Sequence, residues 1–214
     1  MRAVTVNNLT FLVRPEPAHD SFVLDEIFKD NCYRIPEDIR GKVVVDLGAN
    51  IGAFSILCAQ KGAIVYAYEP QPENNACLQT NVALNNFHCT VFDKAVGTPG
   101  TAAISDNTGG SSIVPWIKEA YGDNNPQEIT VIGLDEALQD LESVYFLKID
   151  TEGAEFDIIR SASSETLQKI TFLTMEIHQP FQKDLLGEMF EKLLWFFNIE
   201  IEGGLVFCTP RKTE

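Results

Sequence analysis

From residue 42 onward the apolar positions alternate between short unbroken runs and longer helical patterns. Val43-Val44-Val45-Asp46 is a β-branched run, which predicts a strand covered on both faces. Gly52 to Gln60 reads as a helix that Gly62 can stop. A strand over Ile64 to Glu69 follows, then a helix opened by Pro72 and reaching about Leu84, then a strand over Cys89 to Phe92. The rhythm resumes with a strand over Glu128 to Ile132, a short helix over Leu134 to Leu141 and a strand over Tyr145 to Asp150. A helix from Ala154 to Arg160, a strand over Phe172 to His178 and an apolar helix over Leu185 to Phe197 complete it. Ile199 to Glu202 and Leu205 to Thr209, joined by Gly203-Gly204, predict a closing antiparallel hairpin.

Alternating strands and helices predict a doubly wound α/β sheet. Ligands of such sheets bind beyond the carboxyl ends of the strands. The positions of interest are therefore Asp46 to Gly52, Glu69, Asp93, Asp150 to Gly153 and Glu176 to His178.

Two segments break the rhythm. In residues 1–40, alternation from Val4 to Val13 predicts a strand or hairpin, ended by Pro15 and Pro17. Asp20 is a candidate cap for a short helix through Lys29, with Leu24, Ile27 and Phe28 on one face. This extension is a candidate substrate cap on a main domain spanning 41–214. Residues 97–127 are rich in Gly, Pro and Asn, a loop insertion with room for two short strands. Within it, Asn107 to Ser112 has the glycine pair of a hinged lid. Trp116 and Tyr121, with Phe54, are candidates for an apolar acceptor pocket.

Composition adds exclusions. The chain has 214 residues, enough for one domain. No apolar run approaches the roughly 20 residues that span a bilayer. No basic start, apolar stretch and cleavage site open the sequence. The five cysteines are scattered, without a C-x-x-C pair, which predicts reduced thiols and a cytoplasmic protein. The net charge is -15 and the only dense basic spot is Arg211-Lys212, which argues against nucleic acid and anionic membrane as partners.

The turn Asp46-Leu47-Gly48-Ala49-Asn50-Ile51-Gly52 is the first chemical candidate. Its glycines permit close ligand approach, and the helix start can hold an anionic group. Helix–strand packing alone would account for the same glycines. Asp46 would repel a pyrophosphate and suits an ammonium or sulfonium. Asn50 stands where the dinucleotide fingerprint needs glycine. Glu69, 17 residues beyond Gly52, can accept from ribose hydroxyls. Asp93 is placed for an adenine amino group, or is a plain turn acid.

Val43 to Gly52, Tyr66-Ala67-Tyr68-Glu69-Pro70 with Glu73-Asn74, and Lys148-Ile149-Asp150-Thr151-Glu152-Gly153-Ala154-Glu155 together resemble the FkbM family of methyltransferases. Tyr33-Arg34, Asn81 to Asn85, Ala95-Val96-Gly97, Gly110-Ser111-Ser112 and Glu176-Ile177-His178 add to the likeness, which spans roughly Tyr33 to Gln179. The resemblance implies a class I, Rossmann-like methyltransferase with a mostly parallel seven-stranded sheet and an antiparallel C-terminal hairpin. It implies S-adenosylmethionine as donor, S-adenosylhomocysteine as product, and a hydroxyl on a small molecule, sugar or glycan as acceptor. Asp46, Gly48, Ala49, Asn50 and Gly52 would line the methionine part. Glu69 would hold the ribose, with Pro70 and Gln71 beside the adenine. Asp93, Lys94 and Ala95 would lie along the adenine edge.

Methyl transfer to a hydroxyl benefits from a general base. His178 and Glu152 are the candidates, with Asp150 orienting the acceptor or the methionine amino group. Glu155 is expected to face solvent or to pair with a nearby Arg or Lys on its helix, and His19 and His88 are expected at the surface. Asp150, Glu152, Glu176 and His178 would also suit Mg²⁺ or Mn²⁺; a metal-free site is the favoured reading. The alternatives are an NAD-linked oxidoreductase, disfavoured by Asp46 and Asn50, and a cofactor-binding domain without turnover.

Overall fold

The computed structural model describes residues 1–15, 18–104, 127–178 and 183–211. The chain opens with the hairpin β1 (Arg2–Val6) and β2 (Leu9–Val13). Its two-residue turn is Asn7-Asn8, at φ 49° and 63°, the left-handed pair that matches strand twist. α1 (Asp20–Asp25) continues as a π-helical turn over Glu26–Asp30. The predicted capping by Asp20 is corrected. His19 occupies the N-cap, and Asp20 is buried in an ion pair with Arg14 (Oδ1 to Nη2, 2.7 Å). A buried carboxylate gains more from a guanidinium than from a solvated helix end.

The elements that follow are β3 (Val43–Leu47), α2 (Ala53–Gln60), β4 (Ile64–Tyr68), α3 (Pro72–Leu84), β5 (Cys89–Phe92), β6 (Ala95–Val96) and β7 (Gly100–Ile104). Then come β8 (Gln127–Ile132), α4 (Leu134–Ala137), β9 (Val144–Ile149), α5 (Glu155–Ser161), α6 (Ser164–Gln168), β10 (Ile170–Glu176), α7 (Lys183–Leu194), β11 (Phe197–Glu202) and β12 (Leu205–Pro210). α6, capped by Ser163 Oγ accepting from Thr166 N, is not foreseen in the sequence pattern.

Seven strands form one sheet in the order β11-β12-β10-β9-β3-β4-β5. The run from β10 to β5 is parallel, and β12 is antiparallel to both neighbours. This is the mostly parallel seven-stranded α/β sheet with an antiparallel C-terminal hairpin that the family resemblance implies. β8 leaves the sequential rhythm to pair with β6 and β7 in a separate three-stranded sheet.

The sheet divides the core by strand alternation. Val45, Leu47, Leu147 and Ile149 pack with α5 and α7 residues such as Ile158 and Met189. Val44 and Phe146, one position out of phase, pack on the other face with α2, the hairpin and α1 through Ile56, Phe11 and Leu24. Both faces are covered, hence the unbroken apolar runs.

Side-chain amides on α3 clamp the hairpin. Asn81 is fully buried; its Oδ1 accepts from Leu12 N at 2.6 Å and its Nδ2 donates to Ile51 O at 2.9 Å. Asn85 pairs with both backbone groups of Thr10, each at 2.8 Å. All five cysteines are free. No helix among the described residues is long and apolar enough to cross a membrane.

Candidate active site

A cavity of about 900 Å³ lies beyond the carboxyl ends of β3, β4, β9 and β10, partly roofed by α1 and its π-helical extension. It runs from Glu69 and Pro70 at one end, past Gly48, Ala49 and Asn50, to Asp150, Glu152 and His178 at the other.

The glycine turn is built from backbone bonds. Gly48 N and Ala49 N both donate to Tyr68 O at 3.0 Å, and Gly52 N donates to Ala49 O at 2.8 Å. Asn50 N donates to Glu69 Oε2 at 2.7 Å. These four amides are taken, so the expected anion site is not formed by them. Gly48, at φ +80°, has no room for a side chain: a Cβ would fall 1.7 Å from the Asp150 carbonyl oxygen. Gly52, at φ +89°, does not line the cavity, and its Cβ would fall 2.4 Å from Leu78 Cδ1. Gly52 therefore serves helix packing, while Gly48 serves packing and also lines the cavity.

Asp46 departs from expectation. It is fully buried and absent from the cavity wall. Lys148 Nζ donates to its Oδ1 at 3.0 Å, and Ser55 Oγ donates to its Oδ2 at 2.7 Å. Lys148 also donates to Gly48 O at 2.8 Å and lies 3.5 Å from Asp150 Oδ2. Burial pulls the Lys148 ammonium down, but Asp46 and Asp150 outweigh it and hold it above the ordinary lysine range. The carboxylate is charge-paired under the turn and lies outside the cavity lining. Asp46 is a clamp for β3 against β9.

Glu69 stands at the cavity end as expected. It is 5% exposed, and its carboxylate accepts from Asn50 N and from Gln71 N at 2.9 Å. Burial pushes it above the usual carboxylate range despite these donors. Asn74 Nδ2 adds a third donor at 3.3 Å. Gln71 caps α3 by accepting from Asn74 N. Lys94 and Ala95 line the cavity; Asp93 is exposed and does not.

At the opposite end four carboxylates surround one imidazole. His178 Nε2 lies 3.7 Å from Glu152 Oε2, 3.8 Å from Asp150 Oδ1 and 3.7 Å from Glu176 Oε1. Its Nδ1 lies 3.3 Å from Glu155 Oε1. Burial lowers the imidazole, but the bond to Glu155 and the charges of Glu152, Glu155 and Asp150 prevail and raise it to about 9. The expectation of a histidine free to accept a proton at neutral pH is thus corrected. Glu152 is raised to about 7, chiefly by burial. Its backbone sits at φ 56°, the left-handed region. Glu155 is fully buried rather than solvent-facing. Asp150, Glu176 and His178 each offer one ligand atom within 4.8 Å of the others, so they could also hold a cation.

Tyr33 and Glu26 are wall residues without a role assigned from the sequence. Tyr33 Oη donates to Asp150 Oδ2 at 2.8 Å. Glu26 is raised by burial and by the charges of Glu176 and Asp150. It faces the cavity from the π-helical turn, which lies within the helix predicted through Lys29. Phe54 lines the cavity and His19 its rim; His88 is exposed. Trp116, Tyr121 and Asn107 to Ser112 lie outside the described residues.

A family model of the Methyltransferase FkbM domain matches residues 46–199. The chain belongs to the FkbM methyltransferase family. The FkbM match begins at Asp46 and ends within β11, so it takes in both ends of the cavity. Methyltransferase sdnD of Sordaria araneosa is 28% identical over 195 residues, covering 74% of this chain and 75% of that protein. The 31-O-demethyl-FK506 methyltransferase FkbM of Streptomyces tacrolimicus is 37% identical over 92 residues, 41% of this chain and 32% of that one. Among solved structures, the Thermus thermophilus 16S rRNA N2 G1207 methyltransferase RsmC, in complex with AdoMet and guanosine, is 17% identical with a TM-score of 0.50. That alignment covers 98% of this chain and 50% of RsmC. The precorrin-8W decarboxylase of Methanobacterium thermoautotrophicum also reaches 0.50 at 14% identity, covering 94% and 97% of the two chains. These two likenesses concern the fold alone.

Proposed function

We propose that this methyltransferase uses S-adenosylmethionine to methylate a hydroxyl oxygen on a small-molecule, sugar or glycan acceptor. The observation that carries the reading is the separation of duties along one cavity. Glu69 sits at one end and the Glu152–His178 pair at the other, with the Gly48 turn between them.

The residues suit the donor. Asn50 lines the cavity, and its Oδ1 is buried with no hydrogen-bond partner. Glu69 keeps lone pairs beyond those that its backbone donors occupy. Pro70, Lys94 and Ala95 flank that end. When bound, the donor supplies a methyl on a sulfonium: the C–S bond breaks to leave a thioether as the new C–O bond forms. Asp150 and Tyr33 orient the acceptor. Glu152 takes the hydroxyl proton, because His178 already carries its own at neutral pH. The His178 cation favours the ionised form of Glu152. The volume, near the upper end of the roughly 300–1,000 Å³ of ligand pockets, leaves room for donor and acceptor together. No metal is needed in this scheme.

FkbM of S. tacrolimicus, by its name a methyltransferase of 31-O-demethyl-FK506, supports an oxygen acceptor. RsmC is by its name an rRNA methyltransferase; a chain of net charge -15 is ill suited to a polyanion. The test is labelled methyl transfer to panels of sugars, hydroxylated metabolites and RNA, with calorimetry of adenosylhomocysteine and NAD. Label on a hydroxylated acceptor, unaffected by chelator, is the expected result. Adenosylhomocysteine binding should weaken about tenfold or more in Glu69→Ala, the loss of charged hydrogen bonds. Label on RNA only, NAD binding only, or binding without turnover on any acceptor would each sink the reading.

A further inference from the structure

Glu155 does not line the cavity and is fully buried, yet it meets the site from behind. A single oxygen, Oε1, accepts from Thr151 N at 3.0 Å, Thr151 Oγ1 at 3.1 Å and Gly153 N at 3.0 Å. The same oxygen stands 3.3 Å from His178 Nδ1. The three other carboxylates near the ring all face the opposite nitrogen, Nε2. An ionised carboxylate can only accept, so this contact favours a proton on Nδ1. We propose that Glu155 is a positioning residue, fixing the His178 ring with Nε2 toward the acceptor end while its backbone bonds hold the turn that carries Glu152.

A bland reading competes. An acid in the first turn of a helix interacts favourably with the helix dipole wherever it sits. That role needs no burial, and a solvated carboxylate would fill it. Here the group is wholly desolvated, and its second oxygen, Oε2, is buried without a partner. Desolvation of that kind is unfavourable. A dipole interaction alone does not offset it; contacts to the ring and the turn give the burial a purpose. The arrangement is the one in which a second group orients a working histidine through its far nitrogen.

The inference rests on the reading above, in that His178 takes part in turnover. A double-mutant cycle separates it from mere folding. Glu155→Gln keeps an oxygen for Thr151 N and Gly153 N while removing the charge. Expected is a fall in kcat of about tenfold or more, the scale of lost orienting partners, with adenosylhomocysteine affinity kept within about twofold. In the His178→Ala background the same substitution should change kcat by less than about threefold, because the ring it orients is gone. Equal losses in both backgrounds would overturn the proposal and leave His178 in place. An unaffected rate in His178→Ala alone would instead remove His178 from the reaction. In that event, or if Glu155→Gln does not fold, nitrogen-resolved imidazole spectra of the wild-type protein decide. His178 should keep its proton on Nδ1 once the ring is neutral, above about pH 9. A neutral ring protonated on Nε2 would sink the proposal.

Discussion

Asp46 and Lys148 are 102 residues apart in sequence and meet as a buried ion pair, Oδ1 to Nζ, at 3.0 Å. They are register partners on the adjacent parallel strands β3 and β9. Removing one member of a buried pair strands the other charge, at a cost of about 3–5 kcal/mol. Lys148→Met should therefore lower the urea midpoint by that equivalent. Asp46→Asn combined with Lys148→Met should recover part of the loss. A single substitution costing less than about 1 kcal/mol would show that the pair does not hold the strands together.

Gly48→Ala tests the turn. The new Cβ meets a backbone carbonyl rather than a flexible side chain, and the residue must keep a left-handed φ. Strain of this kind costs on the order of 1–3 kcal/mol, and β3 or the Asp150 loop must shift as well. We expect a lower melting temperature and, in the folded fraction, adenosylhomocysteine binding weakened at least about tenfold. Gly52→Ala, which meets a leucine methyl, should cost stability but leave affinity within a few-fold. Equal effects on affinity would reverse the roles assigned to the two glycines.

Activity should follow pH on both sides. Glu152, raised to about 7, must be ionised to accept the hydroxyl proton, so kcat/KM should climb as pH rises through about 7. His178, raised to about 9, loses the charge that favours ionised Glu152 as pH rises through about 9, and the rate should fall there. Stability runs one way only. Both groups bind protons more tightly in the folded chain. The Glu152 contribution is full below about 4.5 and lost by about 7; that of His178 is full below about 6.5 and lost by about 9. Glu152→Gln should erase the acid limb of the rate profile. Persistence of that limb would assign the proton to another group.

The sheet was largely legible because its punctuation is strong. Pro72 at the first helical position and the compact run from Cys89 to Phe92 give α3 and β5 the predicted bounds. Glu69 is legible as a strand-end acid and Glu152 as a loop acid. What escaped was what strand order decides. Asp46 reads as a ligand group until β9 is seen to bring Lys148 beside it. Glu155 reads as a surface acid until β10 places His178 over it. The apolar face of Leu24, Ile27 and Phe28 announces a helix through Lys29 but not its π-helical form, and Asp20 looks like a cap until Arg14 arrives from the hairpin.

The amide clamp on β2 also sets an order of events in folding. Leu12 and Thr10 find their partners 69 and 75 residues further along. During synthesis the hairpin emerges well before α3 exists, so it has no surface on which to dock. Its closure spans long loops, which makes it a slow and late step. The wall that Arg14 and Glu26 contribute to the cavity is thus completed only after the Glu69 end of the cavity has formed.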